Sequence, residues 1–98
     1  MQITKTQPGV LSLEGRLDTV TAPKLQEALS EVIVPTEKEN IELDFAGVGY
    51  VSSAGLRVLL QGQKNAKAAG KNLTLKNVSP EIIEVFDITG FSSILTII

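Results

Sequence analysis

Cysteine, histidine and tryptophan are all absent from this chain of 98 residues. Without cysteine the chain can form neither a disulfide nor a zinc-thiolate site, and thiol redox chemistry is excluded. Without histidine it lacks the usual general base and the commonest metal ligand, which excludes a Ser-His-Asp catalytic arrangement. The composition therefore favours a binding protein over an enzyme, and it indicates no metal ion and no cofactor.

A strong positive charge and a long apolar run are also missing. Eleven acidic and nine basic residues leave a net charge of -2, and no basic block is present, so nucleic acid is not an expected partner. No 18-residue apolar run occurs, and the opening MQITKTQPG lacks the apolar core of a signal peptide. We expect one compact domain over residues 1–98, cytoplasmic and without membrane insertion unless it is excised from a larger protein.

Alternating strands and one helix are predicted in the first third of the chain. The segments QITKT and VLSLEG alternate polar and apolar residues on either side of Gln7-Pro8-Gly9, which predicts a β-hairpin. A helix that Pro23 can start and Pro35 must end follows. Its apolar stripe has the spacing i, i+3, i+4, i+7 and i+8 and consists of Leu25, Ala28, Leu29, Val32 and Ile33.

The remaining elements alternate strand and helix. IELDF, residues 41–45, reads as a strand, and residues 46–51 lead to a second helix that ends near Gly70. Gly62 within that helix costs about 1 kcal/mol relative to alanine, or marks close packing. Leu73 and Leu75 belong to a fourth strand, a third helix runs from Pro80 to about Thr89, and ILTII is a final strand. The apolar residues expected to face inward from helix two are Leu56, Leu59 and Leu60.

This order predicts an α/β fold with a mostly parallel five-stranded sheet, an N-terminal β-hairpin and right-handed crossovers. Because IELDF and LTLKNV alternate instead of being continuously apolar, the helices should all pack on one face. Sequential βα winding then places strands two to five in chain order, with strand one at the edge. The loops at the carboxyl ends of the strands, residues 15–21, 47–53 and 77–79, should form one binding edge, here called the rim.

Two adjacent serines stand at the start of the second helix, in YVSSAGLRVLL. If Ser52 is the N-cap, Val51 and Leu56 have the spacing of a hydrophobic staple. Ser53 then lies at the first helical position with its hydroxyl towards solvent. On the residues alone, Ser53 is either an ordinary first-turn serine or a functional one.

Three segments resemble the STAS domain family, and in particular the small bacterial anti-sigma factor antagonists. LDFAGVGYVSSAGLRVLL is similar to the family signature, GRLDTVTAPKLQEAL to its second strand and first helix, and PEIIEVFDITGFSSIL to its last helix and strand. Together they cover nearly the whole chain in the right order. The resemblance implies the same sequential, one-faced winding that the strand alternation predicts.

The resemblance also implies a phosphorylation site. In the antagonists, a serine at the start of the second helix is phosphorylated by a partner anti-sigma factor that is itself a GHKL-type serine kinase. Matching the family's Asp-Ser-Ser-Gly-Leu on Gly55-Leu56 places that serine at Ser53, while Ser52 replaces the aspartate and Ala54 the second serine. Ser53 is therefore the expected phosphosite, with Ser52 the alternative. Unphosphorylated protein would bind the anti-sigma factor and free the sigma factor, and a phosphatase would restore the free hydroxyl.

Several neighbours of Ser53 are candidate partner contacts. Asp18 is either a turn acid before the first helix or a rim residue that contacts the kinase. Tyr50 and Val51 are expected to be buried or half-buried, with a partner contact as the alternative, and Arg57 either meets a phosphate or acid near the rim or is simply solvated. The predicted partner-binding set is Asp18, Thr19, Tyr50, Ser52, Ser53, Ala54 and Arg57.

Two other classes of function compete with the antagonist. An enzyme would need an activated nucleophile, but the sequence places no base beside Ser53. A scaffold module of similar fold, such as a stressosome component or the soluble subunit of a lipid transporter, would bind a partner without being a kinase substrate. Gly47 and Gly49 lack the spacing of a phosphate-binding loop, so no nucleotide site is predicted. Neighbouring genes for a sigma factor and kinase, or for a transporter, would discriminate between antagonist and scaffold.

Overall fold

A computed structural model describes residues 1–33 and 40–98 and shows an α/β fold. A β-hairpin opens the chain, and strands then alternate with helices that return on the same side of the sheet. A single turn of 3-10 helix, Phe91–Ser93, follows the last α-helix. The elements are β1 Gln2–Gln7, β2 Val10–Leu17, α1 Ala22–Ile33, β3 Asn40–Val51, α2 Ser53–Ala68, β4 Asn72–Lys76, α3 Pro80–Thr89 and β5 Thr96–Ile97.

The sheet has the predicted strand order, β1-β2-β3-β4-β5, with β1 at one edge. The hairpin pair β1-β2 is antiparallel, whereas β2-β3, β3-β4 and β4-β5 are parallel. Gly9 completes the hairpin turn with a φ of 81°, a conformation that glycine adopts without steric cost. The predictions of a mostly parallel sheet and of sequential winding are confirmed.

The apolar face of the sheet forms the core with the helices. In β3, Ile41, Leu43 and Phe45 are fully buried, whereas Glu42 and Asp44 point to the opposite face and are half-buried. On that opposite face Lys76 Nζ lies 2.9 Å from Glu42 Oε2. None of the described polar or charged residues is buried. Helices on one side of the sheet thus explain the alternation that the sequence displays.

Helix α1 presents the predicted stripe to the core. Leu25, Leu29, Val32 and Ile33 are buried, and Ala28 is half-buried. The described helix ends at Ile33, so the prediction that Pro35 ends it lies outside the described residues. No helix within residues 1–33 and 40–98 is both long and apolar enough to cross a membrane.

Helix α2 packs closely on α1 and on the sheet. Leu56 and Leu59 are buried as predicted, but Leu60 is only half-buried and Val58 is buried in addition. A Cβ atom placed on Gly62 would lie 3.0 Å from Leu29 Cδ1 and 3.3 Å from Leu73 Cδ2. Of the two interpretations of Gly62, close packing is therefore confirmed.

The third strand is longer than predicted. It runs through Gly47 and Gly49 to Val51, where the sequence indicated a loop. A Cβ on Gly47 would lie 2.9 Å from Leu13 O, so this glycine allows β3 to approach β2 closely. The β2-β3 register shifts twice, between Ser12 and Glu14 and between Gly15 and Arg16. Two bulges therefore lie in the part of the pair towards the carboxyl ends of both strands.

The last strand is shorter than predicted. Of ILTII, only Thr96–Ile97 pairs with β4, Ile94 follows the 3-10 turn, and Leu95 is buried. Ile98 donates its amide to Leu75 O at 2.9 Å without extending the strand assignment. The β propensity of the segment indicated the element correctly but overestimated its length.

Candidate functional site

Ser52 caps the start of α2. Its hydroxyl accepts a hydrogen bond from Gly55 N at 3.3 Å, and its carbonyl accepts from Leu56 N at 2.9 Å. Its own amide donates to Leu17 O at 2.8 Å, which joins the helix start to the end of β2. Val51 and Leu56, on either side of the cap, are both buried, as a hydrophobic staple requires. Ser52 thus has a complete structural role as the N-cap.

Ser53 is the first residue of α2, and its side chain is exposed. No hydrogen bond or ion pair of its hydroxyl occurs within the described part of the chain. The first amides of a helix lack intrahelical partners and carry the positive end of the helix dipole. Ser53 therefore offers a free hydroxyl in a place where added negative charge is tolerated.

The turn between β2 and α1 is built around the carboxylate of Asp18. Asp18 Oδ1 accepts hydrogen bonds from Val20 N and Thr21 N, both at 3.1 Å, and from Thr21 Oγ1 at 3.2 Å. The single proton of the Thr21 hydroxyl is shared with Arg16 O, which lies nearer at 2.7 Å, and the hydroxyl oxygen accepts from Asp18 N at 2.9 Å. The turn is thus held in one conformation by Asp18 and Thr21.

The same contacts lower the pKa of Asp18. The largest cause is the hydrogen bond from the Thr21 backbone, helped by the Thr21 hydroxyl, the Val20 amide and the charge of Arg16, whereas partial desolvation raises the pKa. Each of these donors stabilises the charged carboxylate. Asp18 is therefore negatively charged at neutral pH. Its hydrogen bonds also make it an acid that stabilises the turn before α1.

Gly55 allows the Asp18 turn and the start of α2 to lie together. A Cβ on Gly55 would lie 2.7 Å from Leu17 Cγ and 2.9 Å from Leu17 O, closer than real Cβ atoms approach. Only a glycine lets this turn of the helix rest against the end of β2. Since Leu17 pairs with Val51 and precedes Asp18, the structure brings the Asp18 turn beside Ser52 and Ser53.

Tyr50 is 42% exposed, so the expectation that it is buried or half-buried is wrong, whereas Val51 is buried as expected. The second bulge of the β2-β3 pair pairs Tyr50 with Arg16 and changes the alternation of the strand. The Arg16 guanidinium carbon lies 4.1 Å from the centroid of the Tyr50 ring, a cation-π arrangement. Tyr50 therefore lies on the surface next to the serines.

The other predicted residues lie around this point. Thr19 is exposed in the Asp18 turn, and Ala54 is half-buried in the first turn of α2. Arg57 is exposed four residues after Ser53, which places it on the same side of the helix.

The predicted rim is only partly correct. Residues 15–17 and 47–51 belong to strands, so at the ends of β2 and β3 the rim consists of the Asp18 turn and the start of α2. Residues 77–79 follow β4, whose pairing with β3 ends at Lys76 and Asp44. Because β3 continues to Val51, this third loop lies beside the middle of β3, away from the serines that follow its end. The candidate site is therefore formed by two junctions, not three.

Two residues of this surface were not predicted from the sequence. Val20 is 86% exposed at the tip of the Asp18 turn, and Arg16 has a side chain that is 66% exposed. An apolar valine inside a polar turn is the signal that could have identified the first. The Arg16-Tyr50 contact depends on the bulge and has no sequence signal.

Chemically, the site offers an exposed hydroxyl, a fixed carboxylate, an arginine and an aromatic ring. Within residues 1–33 and 40–98 no group of three or more acidic side chains is arranged to hold a metal ion. Aromatic residues and arginine are enriched in protein interfaces, so these groups suit a surface that contacts another protein.

Comparison with known proteins agrees with this fold. The model of the family described as "Mlab, STAS domain" matches residues 2–96. The chain belongs to the STAS domain family. The anti-sigma factor antagonists of this family are regulatory binding proteins, not enzymes.

The relatives specify the class further. The anti-sigma-B factor antagonist of Listeria monocytogenes is 36% identical over 83 residues, 85% of this chain and 72% of the relative. An anti-sigma factor antagonist from Mycobacterium paratuberculosis has a similar solved structure, with a TM-score of 0.80 and 23% identity over 98% of this chain and 85% of that one. The phosphorylated form of the Bacillus cell fate determinant SpoIIAA superposes with a TM-score of 0.71 and 21% identity, covering 99% of this chain and 89% of that one. At these identities the two structures support the fold alone.

Proposed function

We propose that this protein is an anti-sigma factor antagonist controlled by phosphorylation of Ser53. The unmodified form binds an anti-sigma factor that is also a GHKL-type serine kinase and thereby frees a sigma factor in the cytoplasm; the phosphorylated form releases the kinase, and a phosphatase restores it. The observation that carries the proposal is the exposed, unbonded Ser53 hydroxyl at the start of α2, beside the Asp18 turn. The names of the relatives support the antagonist role.

The fold should tolerate the phosphate. A phosphoserine carries nearly two negative charges at neutral pH. At the first position of α2 these charges face free amides and the positive end of the helix dipole, an interaction of about 0.3–1 kcal/mol. Because the Ser53 side chain is exposed, no packing is lost either. Modification therefore leaves the antagonist folded.

The docked complex should not tolerate it. A partner surface complementary to a neutral hydroxyl would have to bury a dianion, and an unpaired buried charge costs several kcal/mol even after relaxation. A loss of about 4 kcal/mol weakens binding roughly a thousandfold. This cost exceeds the small gain at the helix terminus, so the net effect of phosphorylation is dissociation.

Ser53 is favoured over Ser52 as the phosphosite. The Ser52 hydroxyl is half-buried and accepts from Gly55 N, so its modification would disrupt the N-cap. Loss of an N-cap typically costs about 1 kcal/mol. Ser53 has no such bond, and its hydroxyl is accessible to an active site in another protein.

The experiment is a phosphorylation assay with ATP and a candidate GHKL-type serine kinase from the same genome, on the wild-type protein and on Ser53→Ala and Ser52→Ala. Mass spectrometry locates the phosphate. We expect one phosphate on the wild-type protein and on Ser52→Ala, and none on Ser53→Ala. Calorimetric titration should show that the phosphorylated protein binds the kinase about a thousandfold more weakly than the unmodified one.

Three outcomes would contradict the proposal in different ways. Phosphate that persists in Ser53→Ala and disappears in Ser52→Ala would reassign the phosphosite. Tight binding of the kinase by both forms would remove the switch. Binding of a stressosome or lipid-transporter component without any phosphorylation would identify the protein as a scaffold module.

A further inference from the structure

Arg16, near the end of β2, is held by two side chains. Its guanidinium carbon lies 4.1 Å from the centroid of the Tyr50 ring, and its Nε lies 3.7 Å from Asp18 Oδ2. Tyr50 is in turn placed by the second bulge of the β2-β3 pair, and Asp18 by its turn hydrogen bonds. The guanidinium therefore has a defined position although its side chain is 66% exposed.

Arg16 pairs with Tyr50, three residues before Ser53, so one partner can contact both Ser53 and this arginine. A stable interface buries about 800 Å² on each partner, far more than one serine provides. Arg16, Tyr50 and Val20 are exposed at the ends of β2 and β3 and in the Asp18 turn. Tyrosine and arginine are enriched among the residues that dominate binding energy. Val20, 86% exposed, supplies an apolar contact beside them.

The hydrogen-bonding capacity of Arg16 is largely unused. The distance of 3.7 Å to Asp18 Oδ2 is longer than a hydrogen bond, and Asp18 Oδ1 already accepts from Val20 and Thr21. A guanidinium presents two parallel N–H groups that fit a carboxylate. Because Tyr50 restricts the side chain before binding, less conformational entropy is lost on docking.

We propose that Arg16, positioned by Tyr50 and Asp18, determines partner specificity by binding a carboxylate of the anti-sigma factor. The occupant of this surface is thus an acidic segment of the partner that lies across Arg16 and Tyr50 while the neighbouring surface meets Ser53. The inference rests on the proposed function, since it names the chemistry of one contact within that interface.

The test measures, by calorimetry at low and at physiological salt, the binding of the GHKL-type kinase that phosphorylates the protein. Arg16→Gln should weaken binding about tenfold, and Arg16→Glu about a hundredfold, because glutamate adds repulsion to the lost attraction. The control Lys64→Gln removes one positive charge from an exposed position in the C-terminal half of α2 and should change affinity less than twofold. The salt dependence should be weaker for Arg16→Gln than for the wild type.

Tyr50 provides a second readout because it is the only tyrosine and the chain has no tryptophan. Its ring resonances in the NMR spectrum should shift in Arg16→Gln without partner, and not in Lys64→Gln. Equal affinity of wild type and Arg16→Gln, or equal losses for glutamine and glutamate, would overturn the inference while leaving the antagonist function intact. A wild-type protein that does not bind the kinase would overturn both.

Discussion

At the scale of single residues, neighbouring side chains have separate tasks. Ser52 and Asp18 use their oxygens to satisfy backbone amides at the starts of α2 and α1, whereas the Ser53 hydroxyl is left open. Cap residues stabilise helix ends because the first amides otherwise lack acceptors. The hydroxyl that is free for modification is therefore the one that the fold does not need.

Asp18→Asn tests the charge of the turn, since it keeps an acceptor oxygen and removes the negative charge. The pKa of Asp18 is lowered in the folded protein, so its charge stabilises the fold above the usual aspartate pKa of about 3.9. This contribution is lost as the pH falls through the lowered pKa. At neutral pH the variant should unfold a few degrees below the wild type, and the difference should close in acid.

Thermal unfolding followed by circular dichroism between neutral and acidic pH measures this difference. Glu31→Gln, which removes an exposed carboxylate from α1, is the matched control and should show a small, pH-independent difference. Unfolding curves of Asp18→Asn and wild type that remain equally separated at every pH would contradict a charge-based role for Asp18.

At the scale of elements, Gly55 decides how α2 meets β2. The helix start carries Ser53 and the strand end leads into the Asp18 turn, so the distance between these two elements sets the geometry of the site. Leu17 touches the space where a Cβ of residue 55 would lie, through both its side chain and its carbonyl oxygen. Because a backbone atom is involved, a rotamer change alone cannot relieve the clash.

Gly55→Ala should therefore destabilise the protein by about 1–3 kcal/mol, the usual cost of overpacking. The helix propensity of alanine would by itself stabilise by up to about 1 kcal/mol, so the sign of the change distinguishes the two effects. Urea unfolding gives the free energy. Gly49→Ala, in β3, is the control: no atom lies within 4 Å of its added Cβ, and the expected change is within about 0.5 kcal/mol. A stabilised Gly55→Ala protein would show that α2 and β2 are not in close contact.

At the scale of the whole molecule, stability and the candidate site are spatially separate. The buried residues form one apolar cluster between the sheet and the helices, whereas Ser53, Tyr50, Val20 and Arg16 are exposed. Negative charge can therefore be added at Ser53 without entering the core. This separation would allow a small domain to carry the proposed regulated surface.

Two substitutions test the separation. Ser53→Asp should change the free energy of unfolding by less than about 1 kcal/mol and in the stabilising direction, because the new carboxylate faces the helix N-terminus. Leu59→Ala, at a fully buried position of the same helix, should cost about 2–5 kcal/mol. Urea unfolding measures both, and strong destabilisation by Ser53→Asp would indicate that the serine is structural.

Much of this fold was predictable because its determinants are local. The alternation in IELDF predicted the one-faced sheet, and the spacing of Val51, Ser52 and Leu56 predicted the cap of α2. For β3 and Tyr50, where the prediction failed, contacts between distant segments decided the outcome. Gly47 reads as a loop residue but allows β3 to pass close to β2. The second bulge of the pair, at Tyr50, changes the alternation and leaves Tyr50 on the surface.

Local sequence signals were enough to predict the order of elements, the buried stripe of α1 and the position of two serines at a helix start, because hydrophobic periodicity and capping act over a few residues. Contacts between distant segments place the Asp18 turn beside those serines, keep the loop after β4 away from them and bring Arg16 onto Tyr50. These relations depend on the register of β2 and β3 and on their two bulges. Register is set by packing across the sheet, which no single segment encodes.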